Sequence, residues 1–186
     1  MPTLHIIHLT HRTDRMETLV AELSQQRINN FRVCDGVTHF EHPHIGIAEA
    51  HKRLVKLAKD NLWPKILIAE DDVKFAAPGA FDFYLAGEPK DADLYLGGIT
   101  YGIVKAGNIV EDFAGLTLYI IYARFYDTFL NIPQEEHLDR GLRHKGTYIV
   151  CNPMIALQHP GYSDNHQKMV NYNSCFKTLP VFNKSS

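Results

Sequence analysis

Three carboxylates follow directly on an apolar run in the segment ILIAEDDV, residues 66 to 73. Side chains alternate between the two faces of a strand, so if the strand continues through the triplet, the spacing alone pairs Glu70 with Asp72 and turns Asp71 the other way. Two close anions repel each other and favour a cation between them, and carboxylate oxygens suit Mg²⁺ or Mn²⁺. Such a cation neutralises a diphosphate leaving group. The alternative is a surface turn, where acidic residues are also common.

The segments around this triplet predict an edge of a sheet that can hold it. Helices are predicted after residue 12, over 46–63, within 77–87 and over 123–131, and strands over 4–9, 31–37, 65–73, 92–99, 115–122 and within 147–159. Strands that alternate with helices predict an α/β fold with a mixed, mainly parallel central sheet and flanking helices. Open α/β sheets bind ligands at the carboxyl ends of their strands, which is where the triplet falls.

Turn residues divide the remaining segments. Pro43 is expected to break a loop over residues 38–44, and Pro64 is expected to end the main helix. Gly107 and Asn108 predict a hairpin turn in the second half, where the sheet should therefore become mixed. The tail from residue 176 is expected to be extended.

Composition narrows the class of protein. The 186 residues are 45% apolar, which suits one domain with a real core, and the net charge of −2 shows no basic footprint for nucleic acid. Cys34, Cys151 and Cys175 show no CxxC spacing, so a reducing compartment is expected. We see no signal peptide and no run that approaches about 18 apolar residues, so no transmembrane segment is predicted. A cytoplasmic location is expected.

Seven segments in a fixed order suggest a family. They are IIHLTHRTDR, GIAEAH, ILIAEDD, LYLGG, GLTLYIIYARFYDTFL, HLDRGL and NPMIALQHPGYSD. Together they resemble glycosyltransferase family twenty-five, whose members build lipopolysaccharide outer-core sugars or galactosylate collagen. The chain departs from the family pattern at Glu49 and Ala50, which replace Leu-Ser before His51, and at His8, which replaces an Asn.

The resemblance implies a GT-A-like nucleotide-diphospho-sugar transferase fold in one domain over residues 1–186. Residues 1–100 would form the half that binds the nucleotide sugar, and residues 101–186 would form the acceptor side. It implies Asp72 as the first ligand of Mn²⁺ or Mg²⁺. Glu70 and Asp71 would then lie nearer the ribose or outside the direct ligands.

The resemblance also implies that the loop after the first strand, with Thr10, Arg12 and Arg15, meets the base and the diphosphate. Arginine suits phosphate oxygens because its guanidinium donates two parallel hydrogen bonds. The alternative is that Arg12 and Arg15 are solvated or pair with Asp14 and Glu17.

Asp35 and His51 complete the predicted cofactor-binding set. Asp35 can accept a hydrogen bond from uridine or ribose, or it can serve as a turn residue before Gly36. His51 lies near the apolar face of the main helix, where a lone histidine is often a satisfied core residue.

Asp139 in HLDRGL is the candidate general base. An inverting transfer needs a carboxylate to take the proton from the acceptor hydroxyl as it attacks the anomeric carbon. The alternative is a salt bridge with Arg140 or Arg143, and Glu135 and Glu136 are rivals for the catalytic role.

His159 and His166 are candidate metal ligands in QHPGYSDNH, since a late histidine completes the metal shell in many sugar-nucleotide transferases. The alternative is that they are ordinary loop residues.

The leading hypothesis is a metal-dependent transferase that moves galactose or glucose from a UDP-sugar to a saccharide, lipopolysaccharide or glycoprotein acceptor. A lipid-linked acceptor would bring it to the inner membrane surface. The second hypothesis is a nucleotide-sugar-binding module of the same fold without turnover. A metal-dependent phosphohydrolase is third, because few other strand ends carry acids.

Overall fold

A computed structural model describes residues 2–173 and 178–183 of the chain, so Cys175 and part of the predicted tail lie outside the described residues. The strands are β1 (Leu4–His8), β2 (Phe31–Asp35), β3 (Lys65–Glu70), β4 (Val73–Phe75), β5 (Leu94–Leu96), β6 (Tyr101–Val104), β7 (Ile109–Ala114), β8 (Leu118–Tyr122), β9 (Tyr148–Val150), β10 (Ala156–Gln158), β11 (Gly161–Ser163) and β12 (Lys168–Val170). The helices are α1 (Thr13–Gln25), α2 (Pro43–Asp60), α3 (Ala80–Ala86), α4 (Tyr126–Leu130) and α5 (Leu138–Gly141).

An eight-stranded sheet in the order β2-β1-β3-β8-β5-β9-β7-β6 forms the centre. β1 pairs in parallel with β2 and β3, and β5 pairs in parallel with β9. The pairs β3–β8, β5–β8, β7–β9 and β6–β7 are antiparallel. This confirms the predicted mixed α/β class, and the acidic strand β3 lies between a parallel neighbour, β1, and an antiparallel one, β8.

Both faces of the sheet are covered, as the continuous apolar run in β3 predicts. Ile66 and Ile68 face the core beneath α2, α4 and α5, whereas Leu67 and Ala69 face the core beneath α1 and α3. β8 alternates in the same way. The two cores therefore clamp β3 in one register, because a slip of one residue would exchange its faces.

Two local predictions need adjustment, and a third is confirmed. Pro43 does not break a loop but is the first residue of α2, where its missing N–H costs nothing. The strand predicted over residues 65–73 is split, because β3 ends at Glu70 and β4 begins at Val73. The hairpin at Gly107 and Asn108 is confirmed, with a short 3-10 turn between β6 and β7.

Among the described residues, no helix is both long enough and apolar enough to cross a membrane.

Candidate functional site

A cavity of about 550 Å³ opens where β1 and β3 end, and all three residues of the acidic triplet line it. β3 stops at Glu70, so the alternation of the strand does not extend to Asp72. Glu70 contacts His51 of α2 and Asp71 contacts Arg15 of α1, so these two alternate as predicted, whereas Asp72 also contacts Arg15 and does not follow Glu70. Three carboxylates meet at the predicted edge of the sheet.

The first helical turns of α2 form one wall of this cavity. Gly46 lies so close to the loop after β2 that a Cβ atom would collide with the carbonyl oxygen of Val37. Glycine at this position therefore lets α2 approach the loop, and both residues line the cavity.

Asp71 is buried and paired on both oxygens. Its Oδ2 lies 2.8 Å from Nδ1 of His8, and its Oδ1 accepts a hydrogen bond of 2.6 Å from Nη1 of Arg15. The same Nη1 lies 3.2 Å from Oδ2 of Asp72. Part of the positive charge that the acidic triplet requires is thus supplied by Arg15 of α1.

Burial opposes the charge of Arg15, but Asp72 and Asp71 outweigh it and raise the pKa of the guanidinium. Arg15 is therefore the fixed cation of the site. It lies between two carboxylates that would otherwise be buried against each other.

Asp72 is the least satisfied of the three acids. Its Oδ1 is buried and has no hydrogen-bond partner among the described residues. Burial and the neighbouring charge of Glu70 raise the pKa of Asp72 to about 7, against the opposing effect of Arg15. This oxygen is suited to take a proton or a cation.

Glu70 is held from two sides. Nε2 of His51 lies 3.2 Å from its Oε1, and Nε2 of Gln158 donates to its Oε2 at 3.3 Å. Nδ1 of His51 in turn lies 2.9 Å from the hydroxyl oxygen of Tyr119. Burial alone would raise the pKa of Glu70, but the hydrogen bond and charge of His51 and the charge of Arg15 lower it.

Arg12 is fully engaged in this structure. Its Nε and Nη2 donate to the carboxylate of Asp14, and its Nη1 donates to Asp164 at 2.6 Å and to the carbonyl oxygen of Tyr162. Nη2 of Arg15 donates to the same carbonyl. The pairing of Arg12 with Asp14 that the sequence left open is present, and the two arginines tie the β11–β12 hairpin to α1.

Two predicted cofactor-binding residues do not line the cavity. Thr10 and Asp35 are exposed at the ends of β1 and β2, while their neighbours Gly36 and Val37 line it. The loop after β2 therefore lines the cavity through Gly36 and Val37, the two residues that follow Asp35, and not through Asp35 itself.

Asp139 also lines the cavity. Its Oδ2 accepts from the backbone N–H of Gly115 at 3.0 Å, and its Oδ1 accepts from that of Arg140. The alternative salt bridge is not formed, because the side chains of Arg140 and Arg143 pair with Asp112. The rivals Glu135 and Glu136 are exposed and do not line the cavity, so Asp139 is the better placed of the candidates.

The predicted metal ligands are not brought together. Nε2 of His159 lies 2.8 Å from Oε1 of Glu22, and the ring of His166 faces Tyr172. Across residues 2–173 and 178–183, no group of three or more His, Cys, Asp or Glu side chains is arranged to hold a metal ion. Of the predicted ligands Asp72, His159 and His166, it is Asp72 that has a buried oxygen without a hydrogen-bond partner among the described residues.

Several contacts of the site were not predicted from the sequence. His8 ends β1 beside the acidic strand, and this adjacency was a signal that could have placed it against Asp71. Gln158 lies 88 residues from Glu70 in the sequence, and no sequence pattern predicted their contact. His44 and His137 stack with ring centroids 4.7 Å apart and line the cavity on the side of Asp139.

We expect replacement of Arg15 by methionine to destabilise the protein by about 3 kcal/mol or more, because Asp71 and Asp72 lose a buried cation. Urea unfolding at pH 7 measures the change. Arg53→Met is the matched control, since Arg53 pairs with Glu49 on the exposed face of α2 and should cost less than about 1 kcal/mol. Equal costs for the two variants would contradict the assigned role of Arg15.

Asp72→Asn is expected to stabilise the protein without ligand, most strongly above pH 7. The folded state raises the pKa of Asp72 to about 7, so the native protein loses stability as pH rises from about 4 through 7 and this carboxyl ionises. Asparagine does not ionise, so the gain should shrink as pH falls toward 4. Thermal unfolding of both proteins between pH 5 and 8 tests this, and a gain that is independent of pH would contradict it.

The chain matches no protein-family model and no curated protein sequence. Solved structures nevertheless share its fold. A197 from STIV is similar over 98% of this chain and 100% of that chain, with 12% identity and a TM-score of 0.54. A glycosyltransferase involved in the glycosylation of the major capsid of PBCV-1 is similar over 89% of this chain and 95% of that chain, with 12% identity and a TM-score of 0.55.

At this level of identity the likeness shows the fold alone. The predicted GT-A-like fold is confirmed. The narrower resemblance to glycosyltransferase family twenty-five is not supported, because no sequence match accompanies the structural one. The fold by itself does not define an activity, which depends on the residues that line the cavity.

Proposed function

We propose that the chain is a glycosyltransferase that uses a nucleotide-diphospho-sugar donor. The observation that carries this proposal is the convergence of three carboxylates and two arginines in one cavity at the carboxyl edge of a GT-A-like sheet. Open α/β sheets bind ligands at this edge, and a diphosphate needs both fixed donors and a compensating cation.

Arg12 and Arg15 are the proposed diphosphate contacts. Both guanidinium groups now converge on the carbonyl oxygen of Tyr162, each at 3.1 Å. Phosphate oxygens accept charge-assisted hydrogen bonds more strongly than a neutral carbonyl does. Donor binding would therefore exchange this carbonyl for phosphate, while Asp14 and Asp71 keep the two side chains in place. UDP-galactose and UDP-glucose are the donors we expect.

Asp72 fits the role of protein ligand for a divalent cation. Its buried Oδ1 lacks a partner, and Mg²⁺ typically takes one or two carboxylates from the protein and the remaining ligands from water and phosphate. A bound Mn²⁺ or Mg²⁺ would supply charge neutralisation to the diphosphate. His159 could become a further ligand of the cation only if its ring left Glu22, so we propose His159 and His166 as ligands after Asp72.

Asp139 is the proposed general base. Two backbone N–H groups hold its carboxylate at the wall of the cavity that the triplet also lines. It would take the proton from the acceptor hydroxyl, which would give inversion at the anomeric carbon. The acceptor is a saccharide or a glycoconjugate such as lipopolysaccharide or glycoprotein.

A thermal-shift screen of UDP-, GDP- and dTDP-sugars, each with and without MnCl₂, tests the proposal. A ligand at about 100 times its Kd stabilises by about 2.7 kcal/mol, which should raise Tm by several degrees for a chain of this size. We expect the largest shift from UDP-sugars with Mn²⁺. No shift from any nucleotide sugar would overturn the proposal.

The second candidate is a binding module of the same fold that performs no transfer. The engagement of His159 with Glu22 favours it, because this predicted ligand is then not available to the cation that transfer requires. Hydrolysis of the UDP-sugar in the presence and absence of Mn²⁺ separates the two. Donor binding without hydrolysis, and without transfer to any saccharide tested, would support the module.

A further inference from the structure

His51 connects the core of the protein to the acidic triplet. Its side chain is 1% exposed, lies between α2 and β8, and stacks on the ring of Tyr119 at 5.7 Å. Both ring nitrogens already have protein partners, Glu70 on one side and Tyr119 on the other. His51 lines the cavity, as its predicted role requires, but in this arrangement neither ring nitrogen is free to hydrogen-bond a ligand directly.

The direction of these hydrogen bonds follows from the groups involved. An ionised carboxylate can only accept, so Nε2 of His51 carries the hydrogen and donates to Glu70. If the ring is neutral, Nδ1 accepts from the hydroxyl of Tyr119, and if the ring is protonated, Nδ1 donates to the hydroxyl oxygen. Burial raises the pKa of Tyr119 well above its usual value, so that the hydroxyl keeps its hydrogen. The chain from Tyr119 through His51 to Glu70 is thus satisfied at every position.

We propose that His51 is a positioning residue, which holds the Glu70 carboxylate at the floor of the cavity as an acceptor for donor-substrate hydroxyl groups. This rests on the proposed function, since it is the nucleotide sugar that Glu70 would contact. Glu70 is the last residue of β3, and Gln158 holds its second oxygen. With both oxygens tethered by side-chain donors, the carboxylate keeps one orientation and retains free lone pairs for a ligand.

A purely structural purpose would not require this polar chain. The surroundings of His51 are apolar, with Leu54 and Val55 on the same helix and Phe129 stacked on Tyr119. Replacing a buried polar network by apolar side chains of similar volume is often neutral or stabilising. The network fixes the direction of the Glu70 carboxylate, and a carboxylate with a fixed direction is prepared to accept hydrogen bonds from a ligand.

Titration calorimetry with UDP and UDP-galactose in Mn²⁺, on the full chain, tests the inference. His51→Leu should weaken donor binding by about tenfold to a hundredfold, the usual cost of losing a hydrogen bond to a charged group. His51→Gln can place an amide donor near Nε2 and should recover most of this loss. Tyr119→Phe should weaken binding by less than His51→Leu, because Glu70 keeps its direct donor.

Two variants serve as matched controls for stability. Tyr84→Phe removes another buried hydroxyl, which donates to the carbonyl of Tyr95 in the opposite core. His5→Leu replaces another buried histidine, which lies near the amino end of β1. Both should change Tm and leave the affinity for the donor unchanged.

The outcomes are distinguishable. If the unsubstituted protein binds no nucleotide sugar, the proposed function fails and this inference fails with it. If the unsubstituted protein binds and His51→Leu binds equally well, only this inference is overturned. The same holds if affinity falls in proportion to Tm in all five variants, because His51 would then act through stability alone.

Discussion

Replacing Asp72 by alanine is expected to abolish the Mn²⁺-dependent part of UDP binding while the fold remains intact. Loss of groups that merely orient metal ligands costs about 10- to 100-fold in affinity, so loss of the ligand itself should cost about 100-fold or more. The Kd of UDP, measured by calorimetry with and without Mn²⁺, gives the effect. In the variant the two values should converge.

The structure gives a reason to expect an intact fold. Asp72 lies against Glu70 with one oxygen unpartnered, and Arg15 keeps its hydrogen bond to Asp71 when Asp72 is removed. The variant should therefore unfold at the same temperature as the unsubstituted protein or higher at pH 8. Asp60→Ala, on the exposed end of α2, is the matched control and should leave UDP binding unchanged. An undiminished effect of Mn²⁺ in Asp72→Ala would show that the cation is held elsewhere.

Asp139→Asn is expected to leave UDP binding unchanged and to remove sugar transfer. General-base catalysis contributes about 10²- to 10⁴-fold, so the transfer rate should fall within that range. Asparagine can still accept from one of the two backbone N–H groups, from Gly115 or from Arg140, so the cost in stability should be about 1 kcal/mol. Transfer to a saccharide acceptor and UDP affinity are both measured.

Glu136→Gln is the control, because Glu136 lies nearby in sequence but is exposed and outside the cavity. Its transfer rate should equal that of the unsubstituted protein. Full activity in Asp139→Asn, or a loss confined to Glu136→Gln or Glu135→Gln, would reassign the base.

Local pattern was sufficient for much of the architecture. The apolar run before Glu70 predicted a strand covered on both faces, and Gly107 with Asn108 predicted a hairpin; both are formed. Pro43 was misplaced because proline is compatible both with a loop and with the first turn of a helix. The end of β3 was misplaced because DDV continues the apparent strand, although the backbone turns before β4.

The sequence alone also located the acidic triplet at the carboxyl edge of the sheet, where the cavity opens, since that inference needs only the order of strands and the residues that follow them. It could not supply their partners. Arg15 is 56 residues from Asp71, and Arg12 is 150 residues from Tyr162. Hydrogen bonds across such separations depend on how the layers pack and leave no periodic trace in the chain.

What the sequence determined by itself is therefore the class of fold and the place of the carboxylates, because both follow from local propensity and from the geometry of parallel strands. The tertiary structure decided how each polar group is used. In the folded protein Arg15 lies beside Asp71 as a cation, His159 pairs with Glu22, and His51 pairs with Glu70. Each of these assignments depends on distances between elements that only the packed core fixes.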